Sequence, residues 1–178
     1  MSKRFINENN VEIVVTDRVI LNRANLFVPK VLYDNSAAKY SSVVIIPKVE
    51  ISTIKNIKIA INNAIERGKD KLGEDSNYSS LKLPLRSGNE LSDDIMYYNS
   101  YFVNASSLYK PGVVDDKKAD VAIADVPNGQ FARVSLSFHS FNVKGSKGIH
   151  CRLHNIQLLK GRFNPRDYMS SPQDDFDE

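Results

Sequence analysis

Apolar and polar residues alternate with period two along much of this chain, and the clearest alternation occupies residues 131–159. Two such runs flank Lys144, Gly145, Ser146, Lys147 and Gly148, which predicts a β-hairpin with a basic, glycine-containing turn. Successive strand side chains point to opposite faces. Ala132, Val134, Leu136 and Phe138 therefore share a core face, opposed by Ile149, Cys151 and Leu153 on the returning strand. The outward face then carries Arg133, Ser135, Ser137, His139 and Phe141, with His150, Arg152 and His154.

Residues 11–27, closed by Pro29, read as one long or bent strand, and residues 40–46, stopped by Pro47, as a second. The one clear helix follows. Ser52 or Thr53 is placed to cap it, Ile54, Ile57, Ile61, Ala64 and Ile65 fall on one face, and Gly68 ends it. Residues 68–80 read as a mobile polar loop bearing Lys69 and Lys71, and residues 81–85, interrupted by Pro84, as a short edge segment. A further strand is expected at 97–105, and turn signals at Pro111 and Gly112 and again at 127–129 flank a short strand at 121–123. Many short strands with one packing helix point to a small barrel or partly open sheet rather than a layered α/β fold.

A chain of 178 residues suits one domain. We expect a flexible N-terminus at 1–10, a binding domain at 11–160, and a disordered linker with an acidic tail at 161–178, where Pro165, Ser170, Ser171 and Pro172 disfavour a packed core. No signal-like or membrane-spanning apolar run occurs, which predicts a cytoplasmic protein. Cys151 has no partner, which excludes disulfides and cysteine-type zinc sites and makes a small buried thiol. The net charge of +3 conceals an asymmetry: setting aside Asp174, Asp175, Asp177 and Glu178 raises it to +7. A basic body suits a polyanionic ligand.

Binding a single nucleic-acid strand requires cations that follow phosphates and aromatic faces on which bases stack. The hairpin face offers Arg133, Lys144, Lys147 and Arg152 as cations and Phe141, His139, His150 and His154 as stacking planes, although a solvated hairpin would look much the same. Tyr97, Tyr98, Tyr101, Phe102 and Tyr109 with Lys110 form a second candidate surface, part of which must fill the core. A shared metal at His150 and His154 is disfavoured, because the strand rise separates them by about 13 Å. Asp93, Asp94, Asp115 and Asp116 are the acids a metal-dependent nuclease would use, but no phosphate-loop, GxSxG or HExxH motif accompanies them. In the tail, Phe176 sits among four acids, a composition that can mimic DNA on a basic groove or anchor in a partner's pocket.

Five separated segments, NLFVPK at 25–30, KYSSVVIIPK at 39–48, LKLPLRSGNE at 81–90, YFVNASSLYKPGVVD at 101–115 and RVSLSFHSFNVKGSKGIHCRLHNIQLL at 133–159, carry a resemblance. In this order they resemble a family of phage-encoded single-stranded-DNA-binding proteins, long catalogued as a domain of unknown function. The resemblance implies a mainly β, OB-fold-like five-stranded barrel with extra strands and one packing α-helix. It also implies sequence-tolerant binding of single-stranded DNA in phage replication or recombination, an acidic C-terminal tail and no catalysis; from the residues themselves we expect that tail to recruit partner proteins, and no cofactor. An adaptor whose basic face docks an acidic partner is the alternative. The resemblance supplies no set of contact residues; on the strand-parity reading, those expected at DNA are Arg133, His139, Phe141, Lys144, Lys147, His150, Arg152, His154, Tyr101 and Lys110. Those expected at partners are Asp174, Asp175, Phe176, Asp177 and Glu178.

Overall fold

The alternation at 131–159 builds the longest hairpin of the protein, β8 (Gln130–Val143) and β9 (Ser146–Arg162), in a computed structural model that describes residues 1–73, 78–90 and 93–176. Its turn is only Lys144 and Gly145, both at positive φ (52° and 86°), the conformation that matches the twist of paired strands. Phe138 pairs with Cys151 and Leu136 with Leu153. Ala132, Val134, Leu136, Phe138, Ile149, Cys151 and Leu153 are all buried, as alternation requires. An extra residue on β9 breaks the register between Val134 and Leu136, so the two strands bend around the core there.

Among the described residues the other strands are β1 (Lys3–Ile6), β2 (Glu12–Val15), β3 (Val19–Lys30), β4 (Lys39–Pro47), β5 (Arg86–Ser87), β6 (Ser100–Ser107) and β7 (Gly112–Val114). β3, β4, β6, β9 and β8 pair in that order, and β8 pairs back to β3. Five strands thus close a ring whose β6–β9 pairing is parallel, which is the expected mainly β, OB-like arrangement with extra strands attached. The interior is one cluster built from Val44, Ile46, Val103, Ala132, Leu136, Phe138, Leu153 and their neighbours. A smaller cluster of Ile20, Ile45, Tyr97, Phe102 and Phe163 lies apart from it.

The single long strand expected at 11–27 is two strands, because Thr16 interrupts it. Its N–H donates to the Val134 carbonyl and its hydroxyl accepts from the Val134 N–H, so β2 and β3 both run along β8 with a turn between them. The residues read as a flexible N-terminus include β1, held by Ser2 Oγ donating to the Val15 carbonyl and by the Met1 ammonium 2.9 Å from Asp17.

The helix α1 (Ile51–Arg67) starts earlier than the Ser52 or Thr53 cap implies. Glu50 holds the cap position without a side-chain bond, while Thr53 is buried and accepts the Asp17 N–H instead. Gly68 ends it as expected. In the segment read as a loop, α2 (Lys69–Leu72) buries Leu72 beneath the hairpin, and residues 74–77 lie outside the described residues. The strand expected at 121–123 is absent. Val121 donates to the Val113 carbonyl, which belongs to β7, and the partnering strand is therefore 112–114. Residues 81–83 lie against the hairpin, with Lys82 N donating to the Lys147 carbonyl and Ile149 N to that of Lys82. A Cβ at Gly148 would overlap the Lys82 carbonyl, so this approach requires glycine. No helix of the described residues is long and apolar enough to cross a membrane.

Candidate nucleic-acid interface

The outward residues of β4 and β6, together with the connection 31–38 between β3 and β4, enclose an open groove of about 570 Å³. Arg23, Lys30 and Lys39 bring positive charge to it, and Tyr33, 78% exposed, brings an aromatic ring. Arg23 reaches the groove through a bulge: the β3–β4 register shifts between Asn22 and Asn25, and Arg23 adopts φ 50° with its N–H bound by Asn128 Oδ1. Bulges re-aim side chains in this way. The connection itself is a closed turn in which Ser36 Oγ donates to the Tyr33 carbonyl at 2.6 Å and accepts the Tyr33 N–H at 3.2 Å.

Register carries the groove around the ring. Asn25 pairs with Ser41, Ser41 with Ser106, Ser106 with Arg152, and Arg152 with Ser137. Directly paired residues share a face, so one polar row runs from the groove to the hairpin. A second hollow, of about 280 Å³, is lined by Tyr109, Lys110, Arg152 and His154. Ser106, which lines the first hollow, pairs with Arg152, which lines the second. Arg152 is exposed and has no carboxylate partner among the described residues.

Beyond Arg152 the three histidines converge. Ser137 Oγ, fully buried, lies 2.6 Å from both His139 Nε2 and His154 Nε2, the His139 and His150 rings are 5.4 Å apart, and Phe141 lies 6.4 Å from His150. One hydroxyl bridging two ring nitrogens donates to one and accepts from the other, an arrangement that suits neutral rings. Burial first, and then the Arg152 guanidinium with its neighbours, lowers all three pKa values, that of His139 to about 4. Lys39 of the groove is among the charges acting on His150, which ties the two regions electrostatically.

Each ring binds its proton less readily folded than unfolded. The histidines therefore contribute stability that is present above the unfolded value of about 6.5 and declines as pH falls toward the folded values. We expect the His139 Cε1–H NMR signal to titrate near pH 4 and thermal stability to decline on acidification through that window. Titration of His139 near 6.5 would show instead that the ring is solvated.

His139, Phe141, His150, Arg152, His154 and Lys110 are thus brought together. Others of the expected set are not. Arg133 donates to the Thr16 carbonyl at 3.0 Å and to that of Met1 at 3.4 Å, which ties down the N-terminal segment. Lys147 donates to the Leu72 carbonyl, and Lys144 stands exposed at the hairpin tip. Tyr101 has the strand parity opposite to the groove residues Asn104 and Ser106, and the Lys48 and Lys58 ammonium groups lie 5.3 and 5.4 Å from its ring centre. The tyrosine-rich surface divides: Tyr97 and Phe102 are core, in an edge-to-face pair, while Tyr109 is 80% exposed.

The acids weighed for a nuclease have other tasks. Asp94 accepts the Met96 N–H, Asp115 accepts the Lys117 and Ala119 N–H groups, and Asp116 pairs with Lys160. No three metal-ligating side chains converge among the described residues. In the tail, α3 (Pro172–Asp175) is capped by Ser171, Phe176 is 83% exposed, and Asp177 and Glu178 lie outside the described residues.

Residues 12–178 match the model of a protein family described as Enterobacter phage Enc34, ssDNA-binding protein. The chain belongs to that family. The family fold is evident in the similarity to the single-stranded DNA-binding protein from bacteriophage Enc34 in complex with ssDNA. The TM-score is 0.71 at 17% identity, over 90% of this chain and 91% of that one. A further structure of the Enc34 protein gives 0.69 at 16% identity, covering 99% of both chains. The single-stranded DNA binding protein gp2.5 of bacteriophage T7 gives 0.57 at 13% identity, over 89% of this chain and 97% of that one. Among curated protein sequences none matches significantly.

Proposed function

We propose that this protein coats single-stranded DNA without sequence preference during phage replication or recombination in the bacterial host cytoplasm. The strand would run from the Arg23, Lys30 and Lys39 groove across Ser106 and Arg152 to Tyr109, Lys110 and the histidines. The observation that carries the reading is that Ser106 of one cation-lined hollow pairs with Arg152 of a second, where Arg152 is exposed and has no carboxylate partner among the described residues, with Tyr33 and Tyr109 also exposed. Phosphates follow the cations, and bases stack on the aromatic rings, each stack contributing about 1–3 kcal/mol. Membership of a single-stranded-DNA-binding family supports the ligand class. The reading assigns no catalytic step and no cofactor.

In this reading the acidic tail competes with DNA for the groove and, once displaced, recruits replication or recombination proteins. Its four acids and exposed Phe176 support this, because a tethered competitor acts at high effective concentration. Anisotropy of labelled oligo-dT and its duplex, across a salt series with and without magnesium, tests the reading. We expect preference for the single strand, an intact oligonucleotide, and log K falling by about 0.7 per log salt for each phosphate neutralised. Truncation before Asp174 tightens binding at low salt. Weak, equal binding of single and double strands would reject the assignment in favour of an adaptor.

A further inference from the structure

Ser137 Oγ has a single proton to share between His139 Nε2 and His154 Nε2, so the bridge needs one ring protonated on Nε2 and the other bare there. The ring that donates from Nε2 leaves its Nδ1 bare, and a further proton can add at Nδ1 without breaking the bridge. His150, the cross-strand partner of His139, lies outside the bridge and is open to a proton of its own. Solvent reaches the cluster, since His150 is exposed and His139 and His154 are half-buried. The charges acting on the rings are all positive. Arg152 of β9 acts on all three, Arg67 of α1 on His139, and Lys39 of β4 with Lys71 of α2 on His150. Tyr109 and Lys110 line a hollow with His154, and Asp70 of α2, the acid in the hollow beside His139, is outweighed by burial and the cations. Arg152 is thus both the charge that opposes a proton on every ring and the cation placed to take a phosphate.

We propose that this histidine cluster takes up protons when a single strand binds, so that the protein holds DNA more tightly as pH falls. The proposal rests on the reading that the strand passes Arg152. A phosphate there offsets the guanidinium charge and adds a negative charge of its own, and both changes favour imidazolium over imidazole. Each imidazolium then contributes a further cation to the track. The coupling is reciprocal: DNA that raises proton affinity is itself bound more tightly by the protonated protein. The sign follows from the order of the two pKa values. The DNA-bound value lies above the free one, so affinity is gained as pH falls from the bound value toward the free one, which for His139 is about 4.

The test follows the histidine Cε1–H NMR signals of the full-length protein from about pH 7.5 to about pH 4, with and without saturating oligo-dT, whose bases do not titrate in that range. The His139 midpoint is expected to rise by about one pH unit or more on the strand. Anisotropy should show affinity about tenfold higher at about pH 5 than at about pH 7, the gain expected when His139 returns most of the way to its ordinary 6.5. The double substitution His139→Gln and His150→Gln should flatten that dependence relative to the parent, a comparison in which titration of the acidic tail is common to both proteins. Without DNA, Arg152→Gln should raise the His139 midpoint, because the opposing charge is gone. Tight binding of oligo-dT with unmoved histidine midpoints overturns the proposal and leaves the groove reading standing. So does an equal pH dependence in the double variant, or an Arg152→Gln midpoint equal to the parent's. Failure to bind oligo-dT at neutral pH would remove the groove reading and the proposal with it.

Discussion

Replacing Arg152 by glutamate is expected to weaken binding of oligo-dT roughly a hundredfold at low salt, a loss of about 2.7 kcal/mol. A hydrogen bond to a charged group is worth about 1.5–3 kcal/mol, and the glutamate adds repulsion toward the phosphate that arginine attracted. The position favours a large effect. Arg152 is exposed, lacks a carboxylate partner among the described residues, and lines one hollow while its strand partner Ser106 lines the other. The slope of log K against log salt should also become shallower by about 0.7 for each phosphate that is no longer neutralised. Arg133→Gln is the matched control. Its guanidinium is bound to the Thr16 and Met1 carbonyls, so the substitution should lower thermal stability and leave the salt slope intact. Equal loss of DNA affinity in both variants would show that the groove does not end where the register row places it.

Arg133 and Arg152 look equivalent in the sequence, both outward residues of one alternating hairpin, and the reason they differ is non-local. Parity assigns a residue to a face of its own two strands, but not to what covers that face. Over Arg133 lie Thr16 and the N-terminal segment, which pair with β8 from far away in the chain. Over Arg152 lies open solvent, because β9 meets β6 in a parallel pairing that local pattern does not encode. The hairpin core was legible for the complementary reason: alternation and a two-residue turn are local, and they determine the burial of Phe138 and Cys151 without knowledge of the rest.

The Arg23 and Tyr33 side of the groove was not legible. Arg23 reaches it by a positive φ in a strand bulge, a conformation that arginine does not advertise. The exposed run of Val31, Leu32 and Tyr33 between β3 and β4 was the available signal, since apolar residues in a connection seldom lack a reason. Thr53 illustrates a different limit. Cap propensity favoured it at the helix start, but a long-range bond from the Asp17 N–H, together with full burial, gives it a tertiary role one turn inside. The histidine cluster also depended on a bulge. Regular strand rise separates His150 from His154, and the extra residue on β9 lies just where His154 joins His139 at the Ser137 hydroxyl.

Phe138→Ala and Phe141→Ala should separate the two faces of β8 by stability alone. Phe138 is 1% exposed, sits in the main core and pairs with Cys151, so its truncation leaves a cavity and should cost about 3–5 kcal/mol. For a domain whose whole stability is about 5–15 kcal/mol, that is a large fraction. Phe141, three residues along and on the opposite parity, is half-buried beside His150, and its truncation should cost no more than about 1 kcal/mol. Urea melts with an unchanged m value would read both differences directly. The two variants should then diverge in the other direction at the DNA. Phe141→Ala weakens oligo-dT binding by the loss of a stacking plane, whereas Phe138→Ala, measured well below its midpoint, binds as the parent does. A stability loss at Phe141 as large as that at Phe138 would mean that the hairpin's outward face is buried, and the track from Arg152 to the histidines would then be closed to a strand.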